Sequence, residues 1–207
     1  MPRRRLTLFA RVPKIGQAKT RLIESLGLEK THQLYQKLLA QTVALALEAQ
    51  TNILGLEVFI AATGGEVGEM VPFAKGVDKI ILQEGETLGS RMYNQFLLGE
   101  KEGVEQHLII GVDCPFLTLD HLKQAFTGLE SSPLIFGPAT DGGYYLVGQS
   151  SPVAEVFSNI PWSTDEVLTL SLQKAKALGL PVHLTQELND IDEPWDLALL
   201  PAGWLDS

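Results

Sequence analysis

Short apolar runs alternate with longer stretches of helical spacing along this 207-residue chain, and that alternation restricts its fold more than any other feature. Residues 6–10 read as a compact apolar strand. Residues 28–50 carry Leu34, Leu38, Val43, Leu45 and Leu47 at helical spacing. Strands follow at 56–62, ended by Gly64 and Gly65, and at 79–82, and a helix over 88–98 places Leu88, Met92 and Phe96 on one face. The pattern continues with a strand at 107–112, a helix at 119–129, strands at 134–137 and 144–148, a helix at 164–178, a short strand at 182–184 and a closing helix at 194–200. This order predicts an α/β fold: a Rossmann-like, mostly parallel sheet with helices on both faces. The unbroken apolar character of residues 108–112 predicts a central strand. No repeat, low-complexity segment or linker divides the chain, so a single domain over 1–207 is expected, with 152–163 as its least regular stretch, a lid or a crossover.

Charge narrows the partners. The net charge is −9, yet the first 21 residues hold Arg3, Arg4, Arg5, Arg11, Lys14, Lys19 and Arg21 and no acid, so the remainder carries −16. An acidic chain with one basic segment is a poor general nucleic-acid binder, and no nucleic-acid partner is expected. It suits a small polyphosphate, gripped by the basic segment with a metal on the acidic side. Arg3 to Arg5 themselves read first as a solubilising terminus. No apolar run is long enough to span a bilayer. The basic-then-apolar start is too short for a signal peptide and meets Arg11 and Lys14 at once. The single cysteine, Cys114, has no partner for an internal disulfide, and a cytoplasmic location is expected.

Six segments carry chemistry. The turn after the first strand, residues 9–22, runs through Pro13 and Gly16 into Lys19 and Arg21; in doubly wound sheets ligands bind beyond the carboxyl ends of strands. Lys19, Arg21 and Arg11 are candidate phosphate contacts, with Lys19 and Arg21 expected to face solvent, although an ordinary surface loop has the same look. Asp113 ends the central apolar strand and is followed by Cys114 and Pro115, a position from which a carboxylate can bridge Mg²⁺ or Mn²⁺ to phosphate oxygens; the competing reading is a cap for the next helix. Cys114 itself reads as a buried small residue. Asp141-Gly142-Gly143 is a tight-turn signal that also brings backbone and a carboxylate close to a ligand. In Asn189-Asp190-Ile191-Asp192-Glu193-Pro194, Asp192 either completes a metal site with Asp113 or caps the last helix. Arg91, in Leu88-Gly89-Ser90-Arg91-Met92, is a further candidate phosphate contact. Pro161-Trp162-Ser163-Thr164 reads as a helix entrance capped by Ser163 or Thr164, with Trp162 in the core or stacked on a sugar.

Together the segment 9–22, Leu88-Gly89-Ser90-Arg91-Met92, Asp113-Cys114-Pro115, Asp141-Gly142-Gly143-Tyr144-Tyr145, Pro161-Trp162-Ser163-Thr164 and Asp190-Ile191-Asp192 resemble a bacterial family of GT-A-fold proteins. That family was formerly a domain of unknown function and is grouped as arsenosugar-biosynthesis glycosyltransferase-like. The wider resemblance is to the nucleotide-diphospho-sugar transferase superfamily, which includes guanylyltransferases of molybdenum-cofactor and deazaflavin-cofactor synthesis. The resemblance implies a nucleotide over the first strand-helix turn and a metal-binding role for Asp113. The chain departs from it in two places: the glycine run before Arg-Met is absent after the first strand, and the aspartate-any-aspartate motif is reduced to Asp113-Cys114-Pro115. The expectation is a glycosyltransferase dependent on Mg²⁺ or Mn²⁺, with a nucleoside-diphosphate sugar as donor and a small-molecule acceptor. Lys19 and Arg21 would stabilise the leaving diphosphate and Asp141 or Asp192 would act as base. A nucleotidyltransferase that uses a nucleoside triphosphate and releases pyrophosphate, or a non-catalytic nucleotide-binding protein, are the alternatives.

Overall fold

The structure is a computed structural model that describes residues 2–205; Met1, Asp206 and Ser207 of the expected 1–207 domain lie outside them. Its elements follow in the order β1 (Arg4–Arg11), α1 (Ile23–Leu26), α2 (Leu28–Asn52), β2 (Leu56–Thr63), α3 (Val67–Met70), β3 (Lys79–Leu82), α4 (Leu88–Lys101), β4 (Gln106–Gly111), α5 (Leu119–Gly128), β5 (Leu134–Pro138), β6 (Tyr144–Gln149), α6 (Val167–Ala177) and β7 (Val182–Leu184). Short 3₁₀ turns occupy Thr20–Leu22, Val71–Phe73, Glu155–Phe157 and Pro194–Leu199. The closing helix expected at 194–200 is thus a 3₁₀ segment. The helix expected from residue 164 begins only at Val167: the Thr164 hydroxyl turns back onto the Pro161 carbonyl, and Glu166 is the residue before the helix.

The seven strands are ordered β3-β2-β1-β4-β6-β5-β7, and β6 alone runs against its neighbours. Strand period two separates two apolar layers. Leu6, Leu8, Val58, Ile60, Leu108 and Ile110 face α2, α3 and α5, whereas Ile109, Phe136 and Val147 face α4 and α6. From β1 the chain builds outward through β2 and β3, then returns to add β4 on the other side of β1. The strand order therefore reverses between β1 and β4, and the crevice for a ligand opens beyond their carboxyl ends.

The basic terminus lies at the opposite edge of the sheet. Arg5 is fully buried, its guanidinium 4.0 Å from the Phe59 ring centroid and paired with Glu57 and Glu102. Arg3 pairs with Glu57, and Arg4 donates to Gln106 and to the Leu54 carbonyl. The solubilising reading of these three arginines fails: they tie strands together by charge-assisted bonds, and they are remote from the crevice.

Buried His107 in β4 bonds Thr7 Oγ1 through Nε2 at 2.8 Å, and burial together with the charge of Arg5 holds its pKa well below the ordinary 6.5. The folded imidazole is neutral while the unfolded one protonates below 6.5, so stability present above that pH is lost as pH falls. A His107→Gln variant is expected to start less stable at pH 7 but to lose less between pH 7 and pH 5. Urea midpoints at the two values check this; parallel losses in the two proteins would contradict it.

Candidate functional site

Three segments distant in sequence converge at the reversal point. The chain leaves β1 at Arg11, whose N–H donates to the Tyr35 hydroxyl at 2.7 Å while its carbonyl accepts from it at 2.8 Å. This anchors the start of the loop that ends in Lys19. Lys19 sits in the left-handed region, with φ 52°, ahead of the turn Thr20–Leu22. For a non-glycine residue that conformation costs on the order of 1 kcal/mol, so the surroundings must enforce it. Leu22 buries itself with Leu34, Leu38 and Ile191, which fastens the loop to the segment that follows β7. That segment is joined in turn to β4, for Ile191 N–H donates to the Asp113 carbonyl at 2.8 Å.

The result is a compact charge cluster. Lys19 Nζ lies 2.8 Å from Asp113 Oδ1 and 3.2 Å from Asp192 Oδ1. Arg21 Nη1 takes the other oxygen of Asp192 at 2.6 Å and reaches Glu193 at 2.8 Å. The expectation that Lys19 faces solvent is overturned: its side chain is 4% exposed, whereas that of Arg21 is 53% exposed. Burial alone would lower the Lys19 pKa, but Asp113 and then Asp192 more than offset it and hold the pKa above its ordinary value. Neither aspartate is a helix cap. Thr118 caps α5, and Glu193 with Asp196 forms the capping box of Pro194–Leu199.

On either side of Asp113 the crevice opens into lobes. One, of about 340 Å³, has an apolar floor of Phe9, Met92, Ile109 and Val147 with Arg11, Arg91 and Gln83 at its rim. Arg91 donates from Nε to the Gly85 carbonyl at 2.9 Å, which fixes its direction. The next, of about 270 Å³, holds Asp113, Asp141, Asp190 and Asp192. It continues into an acidic cavity of about 410 Å³ bounded by Arg21, Ser163, Thr164 and Trp195. Asp113 lines the first two lobes, and Asp141, Asp190 and Asp192 line the last two. Six of the seven candidate side chains therefore line one continuous crevice, with Arg11 and Arg91 in a different lobe from Arg21, and the seventh, Lys19, is sheltered behind Asp113 and Asp192.

Asp141 stands in the β5–β6 hairpin turn, where its Oδ1 accepts from Gly143 N–H at 2.8 Å. The turn is both a hairpin and part of the crevice wall. Asp190 is a residue the sequence reading passed over. Burial, and then the charge of Asp141, pushes its pKa up to about 6. The signal was present: Ile191 is fully buried, so by strand-like alternation Asp190 and Asp192 project together to the other side. Trp195, 73% exposed at the cavity mouth, was likewise not singled out. Trp162 packs edge-on to Tyr144 and close over Gly89, as a core residue with one edge at the middle lobe. Thr164 does not cap α6: its hydroxyl donates to the Pro161 carbonyl, and the position before the helix is Glu166. Cys114 is buried, which pushes its thiol up to about 12, as expected of a small core residue.

A sequence model of the family described as "Uncharacterized protein conserved in bacteria (DUF2064)" matches residues 42–164, more than half of the chain. No curated protein matches. Among solved structures, the chain is similar to a Desulfovibrio desulfuricans G20 protein provisionally named a nucleotide-diphospho-sugar transferase. Identity is 26%, the match covers 100% of this chain and 90% of that one, and the TM-score is 0.89. The fold is shared with the inositol-1-phosphate CTP transferase of T. maritima at 17% identity, covering 99% and 94% of the two chains, with a TM-score of 0.59. It is shared also with glucosyl-3-phosphoglycerate synthase from Mycobacterium tuberculosis, solved with Mn²⁺, UDP and glucosyl-3-phosphoglycerate, at 10% identity, 95% and 75% coverage and a TM-score of 0.57.

Proposed function

Because the chain belongs to the DUF2064 family and its fold is that of the nucleotide-diphospho-sugar transferases, we propose that it is a metal-dependent glycosyltransferase that takes a nucleoside-diphosphate sugar as donor and a small molecule as acceptor. The observation that carries this reading is the pairing of Asp113 with Asp192 around Lys19 at the point where the strand order reverses.

Two carboxylates facing a single buried ammonium form a donor set that fits a hard cation completed by phosphate oxygens and water. Among the described residues no group of three or more His, Cys, Asp or Glu is placed to hold an ion, so phosphate oxygens and water would complete the coordination. Mg²⁺ or Mn²⁺ held there would neutralise charge on the departing diphosphate. Arg11 and Arg91 flank the apolar lobe and suit the nucleotide, while Arg21 and Lys19, beside Asp113 and Asp192, would lie nearest the phosphates of a metal-bound donor and favour the charge that develops on them. Asp192, gripped by cations on both oxygens, suits metal binding and not proton transfer. Asp141 has one oxygen outside its turn bond, faces the acidic cavity, and is the base for the acceptor hydroxyl.

The test is product analysis. Protein incubated with a panel of labelled nucleotide sugars, Mn²⁺ and candidate acceptors is expected to release nucleoside diphosphate and no pyrophosphate. Pyrophosphate released from nucleoside triphosphates would instead make it a nucleotidyltransferase, and binding without turnover of either would leave a nucleotide-binding protein.

A further inference from the structure

The proposed chemistry gives Lys19 a role once a donor is bound, and the charge cluster gives it another in the ligand-free protein. An ammonium stands between the two carboxylates that a metal would need, and it is enclosed there. Lys19 Nζ sits 2.8 Å from Asp113 and 3.2 Å from Asp192, its side chain is 4% exposed, and the residue carries the left-handed backbone noted above. The carboxylates themselves are 44% and 39% exposed, so the cation is the sheltered member of the group and the anions are its open side. Arg21 occupies the second oxygen of Asp192. Such an arrangement occupies an oxygen of each carboxylate before any ligand arrives, although Asp141, Asp190 and Glu193 keep the surroundings acidic. A free divalent cation is drawn to the lobe, but at the two ligand oxygens it must displace, or sit beside, a fixed positive charge about 3 Å away, which weakens its binding there. A cation already bound to a diphosphate carries its own negative charge, and the same ammonium can move from the carboxylates to a phosphate oxygen.

On the reading that Asp113 and Asp192 are the metal ligands, we infer that Lys19 is a resident counter-ion that keeps the empty site closed to free metal and yields its place to a metal–diphosphate complex, so that cation and donor enter together. Lys19 is in this respect a positioning residue. It holds two like charges at ligand spacing in the empty protein and decides in what form the metal is admitted.

The experiment measures Mn²⁺ binding to the full chain by the loss of the free-ion resonance signal, first with Mn²⁺ alone and then with Mn²⁺ plus pyrophosphate or UDP. Wild type is expected to bind Mn²⁺ only when the diphosphate is present. Lys19→Met, and Lys19→Asn as a second neutral residue better suited to a left-handed backbone, are expected to bind Mn²⁺ alone at least about tenfold more tightly than wild type. Lys19→Arg, which keeps the charge, is expected to stay closed to free Mn²⁺. Melting curves give an independent readout: Mn²⁺ alone should stabilise the two neutral variants and leave wild type unmoved. Equal affinity of wild type and the neutral variants for Mn²⁺ alone overturns the inference, as does tight binding of Mn²⁺ by wild type without diphosphate; both leave the metal-dependent reading intact. Absence of Mn²⁺ binding in every variant and with every diphosphate, UDP, GDP, CDP, ADP and pyrophosphate included, overturns the metal-dependent reading itself.

Discussion

Asp113→Asn is expected to abolish the response of nucleotide-sugar binding to added Mn²⁺ and to lower turnover by about 100-fold or more, since an amide keeps the shape of the carboxylate but not the charge a hard cation needs. The same substitution has a second consequence. Viewed as an exposed strand-end residue, Asp113 could be changed without affecting the ligand-free protein. Its contact with the sheltered Lys19 ammonium alters that: with Asp113 neutralised, the buried charge keeps only the longer contact to Asp192. A loss of stability on the order of 1 kcal/mol is expected, limited by the partial exposure of Asp113. Calorimetry of nucleotide-sugar binding with and without Mn²⁺, together with melting curves of the ligand-free protein, measures both effects. A variant that binds in a fully metal-dependent way would remove Asp113 from the metal site.

Gly142→Ala is expected to be the most disruptive single methyl group in the crevice. Gly142 has φ 87°, and a Cβ there would lie 2.2 Å from the Asp165 carbonyl oxygen and 2.6 Å from its carbonyl carbon and Cα. These are backbone atoms, so no rotamer change can relieve the clash. The Gly142 carbonyl also accepts from Leu168 N–H at 3.0 Å, which ties the hairpin turn to the start of α6. The left-handed conformation and the overpacking together cost about 3 kcal/mol, which for a chain of this size lowers the melting temperature by roughly 6–12 °C. The segment that must yield carries Ser163, Thr164 and Asp165 on the cavity wall, so acceptor KM should rise as well. Gly143→Ala is the control. Its nearest obstacle is the Asp141 side chain at 3.0 Å, which can turn aside, and it has no left-handed φ. Equal loss in the two variants would show that the turn and not the backbone contact sets the effect.

How much of this was legible beforehand depended on whether a signal was local. The seven strands and the long helices were readable because apolar runs and helical spacing are properties of a few consecutive residues. Asp113 stood out for the same reason, as a carboxylate ending an apolar strand. The failures arose where distant segments meet. Nothing near Lys19 foretells that Leu22 and Ile191 will pack together and enclose its ammonium, nor does the sequence around Arg5 show that Phe59, Glu57 and Glu102 will surround it. Asp190 was a nearer miss: alternation about Ile191 already places it beside Asp192. The delayed start of α6 was hidden because Ser163 and Thr164 are ordinary cap residues, and the close approach of the Asp-Gly-Gly turn to Asp165 joins segments distant in sequence.

The contact between Lys19 and Asp192 joins positions 173 apart in the chain. Such long-range closures bear their entropy cost before they return any energy, so they tend to form once the sheet is in place. Until then Asp113 lacks both its companion carboxylate and its counter-ion. On the proposed reading, a chain with its sheet formed but this closure still open would lack the paired carboxylates for a metal–diphosphate, so diphosphate affinity would report on the docking of the segment around Ile191.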